Sequence, residues 1–244
     1  MKRLGSFANF LIFAIVILLA SCDNNSSNST TKLKDYDGNT YNIKKFESQL
    51  WIVENLNASH FQNGDTIHQF ESFEEWVKAS KEEKPGWSYF NFDSKYSEKF
   101  GTLDNWYAVN DKRGLAPKGW HIPNMKEWGQ LIKYLGGYTS QPTMLNGTVA
   151  CESLKDSTVF NGLLGGVLLV DVDTEADKGG SKFYGLNQKT LYWTSTDYDG
   201  YNVGYISLMT DCNERVQYMP TALLSGATGK FHGVYVRCIK DVSE

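Results

Sequence analysis

The sequence predicts an α+β domain, because helical patterns dominate its first half and strand patterns its second. Ser72 with Glu75, and Asn124 with Glu127, match the capping-box pattern at a helix start, and each pair precedes or overlaps apolar residues at helical spacing. From Val149 onward, short apolar or alternating runs broken by glycine are typical of β-strands. We therefore expect two to three short helices on a loop-rich, mixed or antiparallel sheet.

The N-terminus predicts export and lipidation. Lys2 and Arg3 precede the apolar run FLIFAIVILLA, which is shorter than the roughly 20 residues that span a membrane. The run ends in LASC, which resembles a bacterial lipobox with Cys22 as the lipidated residue. An ordinary secretory signal and an N-terminal membrane anchor are the alternatives. We expect a lipoprotein signal peptide over residues 1–21 and an acyl anchor on Cys22.

Beyond the signal, the sequence predicts a tether and one domain. The segment DNNSSNSTTK after Cys22 has no apolar residue, so residues 22–34 are expected to form a flexible polar tether. No change in composition divides residues 35–244, and their number suffices for a single core.

Charge and cysteine content limit the possible partners and cross-links. Removal of the two basic residues of the signal changes the formal net charge from −4 to −6. An acidic domain without a basic stripe argues against nucleic acid as a partner. Cys151, Cys212 and Cys238 can form at most one internal disulfide in an oxidising compartment, and the sequence leaves the pair open.

His121 is the first candidate catalytic residue. It lies between Trp120 and Ile122 in a segment that we interpret as buried, just before the helix carrying Trp128. A general base needs an orienting group and a solvent-facing pocket, and neither is evident from the sequence. The pattern predicts a core histidine that is hydrogen-bonded to the backbone.

The other histidines do not predict a metal site. His60 and His68 flank an Asn63-Gly64 turn, and a two-residue hairpin would place His60 opposite Ile67, which puts the histidines out of register. No cysteine or carboxylate completes a zinc set at the usual spacing. His232 lies near the C-terminus, and the sequence indicates no metal ligand or catalytic residue to act with it.

The acidic segment DVDTEAD raises a calcium hypothesis. Oxygen ligands at alternate positions suit calcium, although Ala176 stands where an EF-hand loop has glycine. The alternative is a solvated acidic loop. The candidate calcium ligands are Asp171, Asp173, Glu175 and Asp177.

The segment YWTSTDYDGYNVGYISL is the best candidate for ligand contact. Tyrosines offer rigid amphipathic faces and interleaved Asp and Asn offer directional hydrogen bonds, a mixture suited to sugar or protein recognition. The alternative is a strand–turn–strand whose tyrosines pack on neighbours. The candidate ligand-binding residues are Asp197, Tyr198, Asp199, Tyr201, Asn202 and Tyr205.

Several motifs together resemble one family. DGNTY, LWIVENLN, NWYAVN, LAPKGWHIPNMKEWGQLIKYLGG, YWTSTDYD and YVRCIKD occur in this order between Asp35 and Asp241. They resemble the Fibrobacter succinogenes major paralogous domain family, common in surface and secreted lipoproteins of Bacteroidetes. The resemblance implies a C-type lectin-like fold with paired N- and C-terminal strands, and it implies no settled activity. Many relatives have cysteine where this chain has Ala116, which excludes a bond from there to Cys238.

These observations lead to one functional hypothesis with two alternatives. We expect an outer-membrane lipoprotein of the cell envelope with a non-catalytic binding module for a glycan or an envelope protein, and with no cofactor apart from the calcium considered above. The first alternative is a structural or adhesive subunit of a surface assembly. The second is an enzyme similar to formylglycine-generating oxidases, whose chemistry needs a reactive cysteine pair that no motif here matches.

Overall fold

A computed structural model of the chain describes residues 32–141, 144–146, 148–170, 183–210, 212, 217–220 and 229–242. The expected signal peptide, Cys22 and the tether up to residue 31 lie outside the described residues. Residues 32–34, which we expected in the tether, form a strand paired with residues 40–42. The folded domain therefore includes residues before the expected boundary at 35.

The described elements confirm an α+β domain. The strands are β1 (Lys32–Lys34), β2 (Thr40–Phe46), β3 (Gln49–Ile52), β4 (His68–Gln69), β5 (Gly86–Ser88), β6 (Leu103–Asp104), β7 (Tyr138–Gln141), β8 (Met144–Asn146), β9 (Gly165–Leu168), β10 (Phe183–Leu186), β11 (Lys189–Asp197), β12 (Val203–Met209), β13 (Gln217–Pro220) and β14 (Ile239–Asp241). The helices are α1 (Phe73–Lys81), α2 (Ser97–Phe100), α3 (Trp106–Val109), α4 (Met125–Tyr134) and α5 (Thr148–Lys155). Five described helices exceed the two to three expected, because α2 and α3 are single turns of four residues and α5 was not foreseen. None of the described helices is both long and apolar enough to span a bilayer.

Two larger sheets organise the chain. The first has the order β1-β2-β3-β14, so the first and last described strands lie in one antiparallel sheet. The second has the order β10-β9-β11-β12-β13 and is mixed, since β11 pairs with β9 in parallel and with β12 antiparallel. A small sheet of β4, β5 and β6 and a β7-β8 hairpin are the other sheets among the described residues.

Helix α4 is fixed at its start and along its buried face. Asn124 and Glu127 form the expected capping box, in which the Asn124 side chain accepts the Glu127 N–H and Glu127 accepts the Asn124 N–H. The Trp128 ring is fully buried, with its centroid 4.7 Å from that of Trp51 on β3 and 5.5 Å from that of Tyr192 on β11. This helix therefore connects the two larger sheets through aromatic contacts.

Helix α5 corrects the expectation of strands from residue 149 onward. Its buried side chains, Ala150, Cys151 and Leu154, recur at helical spacing and join the core. Cys151 is disulfide-bonded to Cys212 beyond β12, with the Cα atoms 5.5 Å apart. Burial against the sheet and the cross-link thus decide the local structure, and Cys238 remains a buried free thiol.

Candidate functional site

The most exposed aromatic side chains of the predicted ligand segment lie in the turn between β11 and β12. Asp197 pairs with Val203 at the end of the ladder, which leaves residues 198–202 as the connection. Tyr198 is 46% exposed and Tyr201 is 66% exposed. The turn therefore presents two large aromatic side chains to solvent.

Hydrogen bonds hold this turn in one shape. The carboxylate Oδ1 of Asp199 accepts from the N–H groups of Asn202 at 2.7 Å and Tyr201 at 2.9 Å. These bonds, that of Asn202 first, lower the pKa of Asp199. Asp197 accepts from the N–H of Gly200 at 2.6 Å, and Gly200 adopts a φ of +84° that favours glycine. The two aspartates predicted as ligand contacts therefore also build the turn.

Lys230 extends the site beyond the predicted segment. It belongs to a 3-10 turn, Gly229–Phe231, and its Nζ lies 3.3 Å from Asp197 Oδ2 and donates to the carbonyl of Gly200. The same ammonium lies 4.7 Å from the centroid of the Trp106 ring on α3. No sequence pattern indicated this contact, because 30 residues separate Lys230 from Gly200.

Trp106 also lines a solvent-open groove of about 630 Å³, so Lys230 connects this groove to the turn. Tyr107, Asn110 and Lys112 lie along the groove, and the Tyr107 ring is 6.2 Å from that of Phe231 beside Lys230. We call the two exposed tyrosines, Lys230 and this groove the tyrosine surface. It combines aromatic faces with amide, carboxylate and ammonium groups.

Tyr205 does not belong to the tyrosine surface. It was expected to contact ligand, but it is only 4% exposed. The reason is that β12 is an interior strand between β11 and β13, with both faces covered from Val203 to Leu208. Burial raises the pKa of Tyr205 to about 12. Asn202 is half-buried and its side chain donates to Asp199.

The histidines of the second hairpin remain apart, as expected, although the register differs. His60 pairs with Thr66 and not with Ile67, because the turn closes through a Phe61 N–H to Asp65 carbonyl bond. His60 contacts Asp37, whereas His68 Nε2 lies 2.6 Å from Glu75 Oε1.

The His68–Glu75 pair changes another expectation. Ser72 caps α1 as predicted, but the Glu75 carboxylate accepts from the Glu71 N–H at 2.9 Å and does not complete a capping box. That bond and the His68 contact lower the pKa of Glu75. The pair lines a second cavity, of about 430 Å³.

His121 is not the core residue that we expected. Its side chain is 44% exposed, and its Nε2 lies 2.9 Å from Glu127 Oε1. Its backbone is fixed, because the N–H and carbonyl of His121 both bond to Ile239 at 2.9 Å. Trp120 and Ile122 are buried, so His121 occupies the outward position of an extended segment.

His232 also differs from expectation. It is 4% exposed, and its Nδ1 accepts the N–H of Val170 at 3.1 Å, a partner that the sequence did not indicate.

The remaining candidates are outside the described residues or deep in the core. The proposed calcium ligands Asp171, Asp173, Glu175 and Asp177 lie outside the described residues. Cys238 is fully buried, and burial raises the pKa of its thiol.

Fold and sequence together place the chain in a class and then in a family. The described residues form an α+β domain of several small, mainly antiparallel sheets with a few short helices. The Fibrobacter succinogenes major domain matches residues 45–240, and the chain belongs to that family. No curated protein and no solved structure matches the chain. The lectin-like fold implied by the resemblance stays a prediction.

Proposed function

We propose that this chain is a lipid-anchored protein of the cell envelope whose domain binds a glycan, without catalysis, at the tyrosine surface. The observation that carries the proposal is the exposure of Tyr198 and Tyr201 on a turn held by Asp197, Asp199 and Lys230. A preformed turn keeps its shape on binding, so less conformational entropy is lost.

The chemistry of the surface favours a sugar. A tyrosine ring offers an apolar face to the C–H groups of a sugar ring and a hydroxyl for hydrogen bonding. The adjoining groove supplies the amide of Asn110 and the ammonium of Lys112 for sugar hydroxyls. Its volume of about 630 Å³ is within the range of small-molecule sites.

Two further observations support the lipid anchor and the absence of catalysis in this proposal. The lipobox-like LASC places Cys22 after an apolar run, which suits an acyl anchor in the outer membrane. The cysteines do not suit nucleophilic chemistry, since Cys151 and Cys212 are bonded to each other and the Cys238 thiol is buried with a raised pKa.

A glycan array followed by calorimetry with the bound glycan tests the site. We expect selective binding by the purified chain, and Tyr198→Ala and Tyr201→Ala should each weaken it by about tenfold or more, as loss of a central aromatic contact does. Tyr184→Ala is the matched control, because Tyr184 is a strand tyrosine of similar exposure, 48%, outside the tyrosine surface. Binding that survives both turn substitutions, or an array without any selective glycan, would refute the assignment.

A pull-down from envelope extract separates this function from a structural role. A subunit of a surface assembly would retain a stoichiometric protein neighbour, and that contact would persist in Tyr198→Ala and Tyr201→Ala. Recovery of such a neighbour without glycan binding would replace the proposed function by the structural one.

A further inference from the structure

Three potential metal ligands from distant parts of the chain meet beside the start of α4. The side-chain donors of His121, Glu127 and Asp241 all lie within 4.8 Å of one another. His121 precedes α4, Glu127 lies in its first turn, and Asp241 ends β14. This cluster is separate from the tyrosine surface, and its interpretation does not depend on the proposed glycan function.

Backbone pairing places His121 and Asp241, and a side-chain hydrogen bond orients Glu127. Glu127 Oε2 accepts the Asn124 N–H at 2.7 Å, which leaves Oε1 directed to His121. His121 is bonded in both directions to Ile239, two residues before Asp241 on the same strand. Asp241 is itself paired with Gln49 on β3. Secondary contacts that orient the ligands in this way are typical of metal sites.

The charges of the cluster favour a cation. Two carboxylates lie beside one imidazole, and within the described ranges no lysine or arginine forms an ion pair with Glu127 or Asp241. A divalent cation would balance both carboxylates, and it would take the place of the hydrogen bond between His121 and Glu127.

We propose that His121, Glu127 and Asp241 bind a divalent cation of the zinc class. One imidazole nitrogen with two carboxylate oxygens suits zinc and its neighbours, whereas calcium prefers oxygen ligands alone. Water completes the coordination, because His121 and Asp241 are both partly open to solvent. The ion would join the start of α4 to β14 and thereby stabilise the sheet that contains the first and last described strands.

The geometry requires only a small adjustment. Ligand atoms around a tetrahedral zinc ion are about 3.4 Å apart, which follows from bond lengths of about 2.1 Å. The distance of 2.9 Å between His121 Nε2 and Glu127 Oε1 increases slightly when the ion binds. The exposed Asp241 carboxylate moves toward the ion by rotation about its side-chain torsions.

Titration of the full-length chain in detergent micelles tests the site. The chain is first treated with a chelator and dialysed, and Zn²⁺ is added in a calorimeter. We expect one equivalent to bind and the melting temperature to rise, and Ca²⁺ at the same concentration should not displace the bound Zn²⁺. Co²⁺ should give a visible absorption band that Zn²⁺ displaces, which reports coordination directly.

Substitutions assign the ligands. His121→Gln and Asp241→Asn should each weaken Zn²⁺ binding more than about tenfold, the least expected for loss of a ligand. Both positions are partly exposed, so folding is checked by circular dichroism. Glu127→Gln retains an oxygen for the helix cap and should also weaken binding.

His68→Gln is the matched control, because His68 contacts Glu75 at 2.6 Å and, among the described residues, no second carboxylate joins this pair in a cluster of ligands. It should leave Zn²⁺ affinity unchanged. Absence of stoichiometric Zn²⁺ binding, or affinity that His121→Gln and Asp241→Asn leave intact, would overturn the proposal.

Discussion

Asp104 is a carboxyl group in an apolar environment. It is fully buried at the end of β6, and its Oδ2 accepts from the Thr102 hydroxyl at 3.1 Å. Among the described residues its Oδ1 has no hydrogen-bond partner. Burial raises the pKa of Asp104 to about 8, although the Thr102 bond opposes the shift. The nearby Cys238 thiol is also protonated at neutral pH, because burial raises its pKa.

Asp104→Asn should therefore change how stability depends on pH. The folded state holds the Asp104 proton up to about pH 8, whereas an unfolded aspartate releases it near pH 4. The free energy of unfolding contributed by this group is therefore present below pH 4 and is lost as pH rises to 8, at about 1 kcal/mol per pH unit. Urea unfolding of both proteins at pH 5 and pH 8 measures the difference.

The asparagine variant is its own control for shape, since its amide oxygen can still accept from Thr102. The variant should lose less stability than the wild type between the two pH values. Equal losses in both proteins would mean that Asp104 is already ionised in the folded state at pH 5 and that burial does not raise its pKa.

The burial of His121 was predicted wrongly because the whole segment around it was assumed to be buried. Trp120 and Ile122 were correctly predicted to be buried, and that burial was extended to the residue between them. In extended backbone, alternate side chains point to opposite faces, so two buried neighbours indicate an outward His121. The alternation was available from the sequence, whereas the proximity of His121 to Asp241 depends on the tertiary fold.

Among the elements, α4 depends on a local signal and should respond to a local substitution. The Asn124 side chain accepts the N–H groups of Lys126 at 2.9 Å and Glu127 at 3.0 Å. Asn124→Ala leaves both donors without this partner and should lower the free energy of unfolding by about 1 kcal/mol. Urea unfolding followed by tryptophan fluorescence measures it, because Trp128 is on this helix.

Asn124→Ser tests whether the cap itself is responsible. Serine is an N-cap residue of similar strength, so this variant should retain nearly all of the stability. If the alanine and serine variants unfold at the same urea concentration, the side-chain cap does not stabilise α4.

The contrast between α4 and α5 explains which elements the sequence predicts. Helix α4 has a capping box, an apolar stripe and a glycine end, all within 14 residues of the chain from Asn124 to Gly137. Helix α5 begins with Thr148 and Val149, which favour strands, and it is fixed by core packing and by the bond from Cys151. The contacts that stabilise α5 come from residues distant in the sequence, so a local sequence pattern does not predict this helix.

The tyrosine surface illustrates the same limit for function. The turn with its two exposed tyrosines follows from a local Asp-Gly signal between alternating segments. The groove and Lys230 depend on how α3 and residues 229–231 pack against β11. Sequence reasoning therefore named the residues of the turn but not its neighbours, and it wrongly included Tyr205, which lies on an interior strand.

For the whole molecule, the long-range connections determine what holds the domain together. The last strand, β14, pairs with β3 near the start, and the aromatic contacts of Trp128 reach both larger sheets. The class of fold follows from the order of local patterns. The order of strands does not follow from local patterns. The β3–β14 pairing confirms the paired terminal strands that the family resemblance implied, whereas nothing in the sequence indicated the parallel β9–β11 contact.

The disulfide is a covalent connection of the same kind, and its loss should affect the whole domain. Cys151 and Cys212 are 61 residues apart, so their bond restricts a long loop in the unfolded chain. Removal of such a bond typically lowers the free energy of unfolding by about 2–5 kcal/mol. The variant Cys151→Ala/Cys212→Ala should therefore unfold at lower urea concentration than the oxidised wild type, and dithiothreitol should have no further effect on it.

In Cys238→Ala the buried free thiol is removed while the bond remains, so that variant should still be destabilised by dithiothreitol. If the double variant were as stable as the oxidised wild type, α5 would be held against the second sheet by packing alone, and the cross-link would contribute nothing to the stability of the fold.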